Sequence, residues 1–204
     1  MPLLLRDVKT IHLVRDPRGL YASRLQYGTP KSAFNSVEEL CRNHAKNLAF
    51  LKQLSALPFM RDVIRDNYRL VRYEVISYDT VTMSRKLYDF SGIPLTDDAL
   101  EKIIRLASND STFSISEHKL SAASSANGGG DRNHDNQVAS DKSKAIATKW
   151  RHRITTAEIR RVEQACAPVM RQLGYVTLDD DDQYANDDID LIAPITSTLI
   201  PTFQ

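Results

Sequence analysis

The residues best able to bind an anion lie close together near the start of the chain. Arg15 follows a short β-branched apolar run over 8–14, and Pro17 begins a helix that carries Ser23 two turns further on. A guanidinium group donates several charged hydrogen bonds, and the free N–H groups at a helix N-terminus favour negative charge. The segment therefore indicates a phosphate-binding strand, turn and helix. In the alternative interpretation, Arg15 and Asp16 form an ion pair or cap the helix.

Other residue types that catalyse reactions or bind metals form no recognisable pattern. Cys41 and Cys166 fit no metal-ligand spacing and can form at most one disulfide. His12 alternates within the apolar run, so we expect a hydrogen-bonded core histidine there. The other histidines also lack ligand spacing: His44, His118, His134 and His152. We therefore predict no metal site and assign no catalytic base.

The elements that position Arg15 and Ser23 alternate between strands and helices. β-Branched and aromatic residues predict strands over 8–14 and 68–73. Apolar spacing, capping residues and terminal glycines predict helices over 18–26, 36–57, 80–91, 96–107 and 155–173. This order favours an α/β layered fold with a parallel sheet. Two or three strands are few for such a sheet. Either the sequence pattern misses further strands, or the chain lacks part of the domain.

Two segments differ in composition from the rest of the chain. Ser, Ala, Asn, Gly and Asp dominate from Ser121 to about Ser143, which predicts a mobile loop over about 121–147. Residues 179–204 are first acidic and then rich in Ile, Thr and Pro, which predicts an unpacked tail. The remaining chain over 1–178 is expected to form one partial domain around the loop.

Composition and charge narrow the class of protein. The 204 residues are 42% hydrophobic and 26% charged, as in ordinary globular proteins, and no apolar run reaches the roughly 18 residues of a membrane-spanning helix. Residues 1–178 contain all 27 basic residues and 19 of the 26 acidic ones, a net charge of +8. This excess agrees with an anionic ligand, and equally with a merely soluble surface.

Four segments, in order, carry a resemblance to a known family. Residues 11–24 resemble the 3′-phosphate-binding segment of the sulfotransferase superfamily. The similarity is greatest to the Golgi carbohydrate sulfotransferases that act on the 6-hydroxyl of galactose, N-acetylglucosamine or N-acetylgalactosamine. The other three segments are 70–74, 87–92 and 149–175, which contains Lys149, Trp150, Arg151 and Cys166. Together they span about residues 3–175.

The resemblance implies a fold, a co-substrate and nucleotide-binding residues. The fold would be the P-loop-like three-layer sulfotransferase fold, and the sulfate donor would be 3′-phosphoadenosine 5′-phosphosulfate. Arg15 and Ser23 match the residues that hold the ribose 3′-phosphate. Tyr73 matches a tyrosine near the nucleotide, or else packs in the core, and Lys149 is similar to a lysine that reaches the nucleotide. Arg18 belongs to the same motif, although we expect it to face solvent or an acidic neighbour.

The resemblance also bears on residues around this site. Trp150 is expected to be a packing anchor for the loop. Glu74 is a candidate charged neighbour of the site, but we expect a strand-end carboxylate paired with Arg72 or another basic residue. Cysteines are common in the family at the positions of Cys41 and Cys166. A disulfide and two separate buried thiols both fit the pattern.

The implied reaction is sulfate transfer to a sugar hydroxyl, expected at the 6-position, on a glycan or proteoglycan in the Golgi. The family's N-terminal anchor and the strand, 5′-phosphosulfate loop and helix lie upstream of the matched segments. We therefore expect this chain to carry the 3′-phosphate half of the site, without nucleic-acid or membrane contact. One alternative is a non-catalytic nucleotide- or glycan-binding remnant that associates with an intact relative. Another is a kinase-like enzyme, for which no Gly-x-x-x-x-Gly-Lys-Ser/Thr segment is present. The acceptor sugar and self-association stay open.

Overall fold

A computed structural model describes residues 8–26, 36–108, 144–195 and 201–202. The chain divides into two compact units. The first contains Met1–Val75 and Ala147–Gln204, and the second contains Ile76–Ile146. Every residue considered for the functional site belongs to the first unit, which is therefore described in more detail.

The described helices follow most of the predicted boundaries. They are α1 (Pro17–Gln26), α2 (Val37–Ala56), α3 (Pro58–Asn67), α4 (Tyr73–Tyr78), α5 (Thr80–Ser91), α6 (Asp97–Ser108) and α7 (Thr156–Leu173). Residues 144–148 are also helical, and 3-10 helices span Lys149–His152 and Asp181–Ala185.

Two parallel strands organise the first unit. Strand β1 (Thr10–Val14) pairs in parallel with β2 (Tyr68–Arg72), so that Thr10 lies opposite Tyr68 and Val14 lies opposite Arg72. Strand β2 also has a parallel bridge from Leu70 to Thr202. The predicted α/β class with a parallel sheet is confirmed. Strand β2 ends one residue before the predicted boundary, because Tyr73 begins α4.

Local sequence explains the two long helices of the first unit. The Ser36 hydroxyl accepts a hydrogen bond from the Glu39 N–H at 3.0 Å and caps α2. Helix α7 has a complete capping box between Thr155 and Glu158. It ends at Gly174, whose φ is +72° and whose absent Cβ would lie 2.4 Å from a backbone oxygen. The predicted starts of both helices and the glycine end of α7 thus match the structure.

Helices α2 and α7 pack against each other and form the centre of the core. Leu48 on α2 and Val162 and Leu173 on α7 are almost fully buried in one apolar cluster. Cys41 and Cys166 form a disulfide between these helices, with their Cα atoms 5.1 Å apart. Of the two open alternatives, the structure therefore contains the bonded one.

Residues 175–195, which follow α7, pack against the rest of the first unit. Tyr184 and Leu191 are 2% and 3% exposed, and both belong to an apolar cluster with Trp150. Val176 donates its N–H to the Leu191 carbonyl at 2.9 Å. The expectation of an unpacked tail beyond Leu178 is therefore wrong for residues 179–195. Their apolar side chains, spaced among the aspartates, fill the core.

The second unit contains α5 and α6, which contact each other. The buried apolar residues of these two helices are Met83 and Leu100. Helix α5 ends at Gly92 with a φ of +72°, as the glycine predicted.

Of the loop predicted over 121–147, residues 121–143 lie outside the described part of the chain. Among the helices that the structure describes, none has the length and apolar character needed to cross a membrane.

Candidate functional site

The site begins where the two parallel strands end. Arg15 follows β1 and Tyr73 follows β2, and the register places these residues next to each other. The centre of the Arg15 guanidinium lies 4.6 Å from the centroid of the Tyr73 ring, a cation–π contact. Open α/β sheets bind ligands at this carboxyl end of their strands. The structure therefore brings together two of the predicted nucleotide-binding residues.

The donor groups of Arg15 are incompletely used within the protein. Its side chain is half-buried, and its Nε atom is buried without a hydrogen-bond partner among the described residues. A buried guanidinium nitrogen normally has an acceptor, because leaving it unsatisfied costs free energy. Arg15 thus has donor capacity that an oxyanion could satisfy.

The N-terminus of α1 differs from the expected anion site. Pro17 has no N–H, and the Arg18 N–H donates to Asp16 Oδ1 at 2.8 Å. Asp16 is 3% exposed, so a buried carboxylate of the protein itself caps this helix. The expectation that the first-turn N–H groups are free for an anion is therefore wrong at these two residues. The alternative in which Asp16 caps the helix is correct, and its ion-pair partner is Arg18.

Arg18 is an interior residue held by carboxylates. It is 0% exposed and pairs with Asp16 at 2.6 Å and with Glu163 at 2.8 Å. It also donates to the Val176 carbonyl at 3.0 Å and stacks 4.5 Å from the Trp150 ring centroid. Burial lowers the pKa of Arg18, but the two carboxylates outweigh it and raise the pKa above its usual value. Arg18 faces acidic neighbours, and its three guanidinium nitrogens have partners within the protein.

The remaining predicted residues lie on elements next to Arg15. Ser23 is half-buried on α1, and Lys149 is exposed on the 3-10 helix that packs against α1. Trp150 follows Lys149 and is 4% exposed, as expected of a packing anchor. A Cβ atom on Gly19 would lie 3.1 Å from Trp150 Cδ1 and 3.2 Å from Arg15 Nε. The glycine therefore allows the indole and the guanidinium to approach the same turn of α1.

Comparison with known protein families gives a match over the segment that contains this site. The family described as "Sulfotransferase domain" matches residues 2–174. The chain belongs to the sulfotransferase domain family. The chain therefore has the sulfotransferase fold and a transferase family assignment. No solved structure matches this sulfotransferase chain significantly.

Curated relatives extend the comparison to carbohydrate sulfotransferases. Human carbohydrate sulfotransferase 6 is 30% identical over 206 residues, which cover 92% of this chain and 47% of the relative. Mouse carbohydrate sulfotransferase 1 is 28% identical over 91% of this chain and 43% of its own length. Carbohydrate sulfotransferase 3 of Tetronarce californica is 29% identical over 88% and 38%, respectively. The sulfotransferase chain thus spans less than half the length of these relatives.

Glu74 follows Tyr73 in α4, and its hydrogen-bond partners differ from those expected. It is 4% exposed and accepts hydrogen bonds from the Asp16 N–H and the Tyr175 hydroxyl, both at 2.9 Å. Arg72 instead donates to the carbonyls of Leu173 and Ala193. The hydrogen-bond partners of Glu74 are thus a backbone amide and a phenol, in place of the expected Arg72 or another basic residue. Burial and the nearby Asp16 charge raise the pKa of Glu74.

Sequence reasoning missed two residues that hold this network. Glu163 is 5% exposed on α7, and the Tyr184 hydroxyl donates to its Oε1 atom at 2.6 Å. The same Glu163 oxygen accepts a hydrogen bond from Arg18. Nothing in the sequence distinguishes Glu163 from the other polar residues of its helix. Tyr184 is an aromatic residue within an aspartate-rich stretch, and that contrast could have indicated a buried anchor.

His12 has no assigned chemical role and forms the expected hydrogen bond. Its Nδ1 atom lies 2.5 Å from the Tyr68 hydroxyl, and burial lowers the pKa of the imidazole. The pair contributes to the lining of a mostly apolar cavity of about 430 Å³ bounded by β1, α2, α3 and the start of β2. The described residues contain no group of three or more metal-ligating side chains.

Proposed function

We propose that this chain binds the 3′-phosphate of 3′-phosphoadenosine 5′-phosphosulfate, with Arg15 as the principal charged donor. The observation that carries the proposal is the Arg15 guanidinium, held over Tyr73 at the carboxyl end of β1. Its buried Nε lacks a partner among the described residues, and phosphate oxygens are strong acceptors for a guanidinium. The family membership supports a sulfate donor of this kind.

The other residues of the proposed site have distinct roles. Ser23 donates its hydroxyl to the same 3′-phosphate from α1. Tyr73 orients Arg15 and lies beside the nucleotide. Lys149, which is exposed, extends its ammonium group towards the bound nucleotide. Arg18 supports the turn from inside, since its donors are used by Asp16, Glu163 and Val176.

The proposed reaction is transfer of sulfate from this donor to a sugar hydroxyl, at the 6-position, of a glycan or proteoglycan. Such a transfer requires alignment of the reactants and positive charge near the departing bisphosphate. The printed names of the relatives, carbohydrate sulfotransferases, support a sugar acceptor. The Cys41–Cys166 disulfide is compatible with an oxidising compartment such as the Golgi lumen.

Calorimetric titration of the full chain tests the nucleotide proposal. Adenosine 3′,5′-bisphosphate is the probe, and 5′-AMP, which lacks the 3′-phosphate, is the matched control. We expect micromolar binding of the bisphosphate and much weaker binding of 5′-AMP. Equal affinities, or no binding by a chain shown by circular dichroism to be folded, would contradict the proposal.

A further inference from the structure

We propose that residues 181–191, here called the C-terminal clamp, position the nucleotide-binding residues of this chain. The clamp acts through the 3-10 helix Lys149–His152, which carries Lys149 and places Trp150 against Gly19, the glycine that Arg15 also approaches. The inference rests on the proposed function, because it concerns the orientation of Arg15 and Lys149 towards a nucleotide. It assigns a role to a segment beyond the matched residues 2–174 of the family.

The 3-10 helix contacts the site through its tryptophan. Trp150 is 4% exposed and lies beside Gly19, where an added Cβ would be 3.1 Å from the indole and 3.2 Å from Arg15 Nε. Trp150 and the Arg15 guanidinium thus approach the same point beside Gly19, and Tyr73 lies against the guanidinium. A shift of the indole would alter the space available to Arg15, and it would also move the adjacent Lys149.

Arg151 joins this 3-10 helix to the clamp. The Arg151 side chain reaches two carbonyl groups of the clamp: Nη1 donates to Asn186 at 2.7 Å and Nη2 donates to Ile189 at 2.8 Å. Arg151 is only 6% exposed, so water replaces these bonds poorly. Next to it, His152 Nε2 lies 3.0 Å from the Asp187 carboxylate in an exposed pair, which adds less. The forked donor geometry of Arg151 is therefore the main connection.

The clamp is itself fixed to the core of the first unit. Tyr184 is 2% exposed, and its hydroxyl donates to Glu163 on α7 at 2.6 Å. Leu191 is 3% exposed, and its carbonyl accepts the Val176 N–H at 2.9 Å. One anchor lies on each side of the Asn186–Ile189 stretch that Arg151 contacts. The carbonyl acceptors of Arg151 thus have fixed positions.

The contacts close into a ring beside the site. Glu163 accepts from Tyr184 and from Arg18, and Arg18 stacks on Trp150 at 4.5 Å. Trp150 is followed by Arg151, whose donors return to the clamp. Because Trp150 is held both through Arg18 and through Arg151, loss of the Arg151 fork should loosen the indole without removing the whole core. Arg151 and Tyr184 are positioning residues in this arrangement.

The decisive variant is Arg151→Lys, with Arg171→Lys as the matched control. Lysine keeps the positive charge but cannot donate to both carbonyls in a fixed fork, whereas Arg171 is exposed on α7 and outside the ring. Each full-length variant is titrated with adenosine 3′,5′-bisphosphate and with 5′-AMP. We expect Arg151→Lys to weaken bisphosphate binding about tenfold and 5′-AMP binding less than about threefold, and Arg171→Lys to bind both like the parent chain.

Comparison of the two nucleotides separates positioning from general destabilisation. A partly unfolded variant binds both nucleotides less well by the same factor, whereas a displaced Arg15 reduces the contribution of the 3′-phosphate. Equal losses for both nucleotides, or unchanged binding of both, would overturn the clamp. If Arg151→Lys fails to fold, Tyr184→Phe replaces it. Phenylalanine keeps the buried ring and removes the hydroxyl's bonds to Glu163 and to the Leu178 backbone, and we expect about a threefold loss confined to the bisphosphate.

Fluorescence distinguishes failure of the clamp from failure of the proposed function. Trp150 is the single tryptophan of the chain, so its emission reports the 3-10 helix directly. We expect acrylamide to quench Trp150 more strongly in Arg151→Lys than in the parent or in Arg171→Lys. If the parent chain shows no preference for the 3′-phosphate, the proposed function fails, and the quenching alone then decides whether the clamp holds the 3-10 helix. Unchanged quenching would contradict the clamp.

Discussion

Arg15 and Arg18 lie three residues apart at the start of α1, yet they occupy opposite kinds of surroundings. Arg18 is fully buried and donates to Asp16, Glu163 and the Val176 carbonyl. Arg15 is half-buried, lies against Tyr73, and has a buried Nε without an acceptor among the described residues. The hydrogen-bond donors of Arg18 are all used within the protein, whereas Arg15 retains an unused donor at the carboxyl end of the sheet.

This contrast indicates how one motif serves two purposes. A buried charge is tolerated only when it is paired and hydrogen-bonded, and the carboxylates around Arg18 meet that need. The resulting network holds the turn after β1 in place. An arginine that is to bind a phosphate must instead keep part of its donor capacity unused until the ligand arrives. Arg18 therefore stabilises the fold, and Arg15 is the stronger candidate for the ligand.

The largest effect is expected from replacing the saturated arginine. Arg18→Met removes the partner of two buried carboxylates, so we expect the free energy of unfolding to fall by about 3–5 kcal/mol. Urea titration followed by circular dichroism measures this change. The control is Arg65→Met, which breaks exposed ion pairs with Asp62 and Asp66 and should leave the free energy of unfolding almost unchanged. Similar losses in both variants would contradict a special structural role for Arg18.

Replacing Arg15 should have the opposite effects: a large loss of nucleotide affinity and little loss of stability. Arg15→Ala removes the charged donor of the proposed phosphate site, so we expect affinity for adenosine 3′,5′-bisphosphate to fall by about 2–4 kcal/mol. The free energy of unfolding should change by less than about 1 kcal/mol, because Arg15 has few partners to lose. Calorimetry and urea titration on the same preparation test both statements. Unchanged affinity would refute the phosphate role of Arg15.

The aromatic partner of Arg15 should have a smaller effect. Tyr73→Leu removes the ring face beneath the guanidinium, and we expect bisphosphate affinity to fall by about 1 kcal/mol, within the range of cation–π contacts. Tyr73→Phe keeps the ring and serves as the matched variant. If the two variants bind with the same affinity, the ring face does not orient Arg15, and any loss they share would point to the hydroxyl.

The smallest expected effect is the contribution of the buried Glu74 carboxylate to the pH dependence of stability. Burial and the Asp16 charge raise the pKa of Glu74 above its ordinary value of 4.5. The folded state therefore binds this proton more tightly than the unfolded chain does. The resulting stabilisation is fully present below the ordinary pKa and is lost as pH rises through the raised pKa.

Comparison of wild type with Glu74→Gln isolates this contribution. The advantage of wild type in the free energy of unfolding should be greatest at the acid end and should shrink as pH rises. Urea titrations from the ordinary carboxyl pKa to neutrality measure this slope. The control Glu101→Gln changes an exposed carboxylate, 74% accessible, and should show little of the slope. A difference between wild type and Glu74→Gln that is independent of pH would contradict the raised pKa.

Local elements were predictable from sequence where the local signals were strong. The capping residues Ser36 and Thr155 predict the starts of α2 and α7, and Gly92 and Gly174 end helices as expected. Helix α3 was not predicted, although Pro58 occupies its first position. Its ten residues follow a long helix directly, and only the packing of its apolar side against the core marks it as a separate element.

Sequence alone determined the parallel α/β class, the long helices and the place of Arg15 at the end of a strand. These features depend on residues close together in the chain, whose spacing sets secondary structure. Tertiary structure decided which arginine is saturated, that the two cysteines bond, and that residues 179–195 pack. Those outcomes depend on distant partners: Glu163 is 145 residues from Arg18, and Cys166 is 125 residues from Cys41. No local pattern encodes such a meeting, because it arises only when the core brings α1, α2 and α7 together.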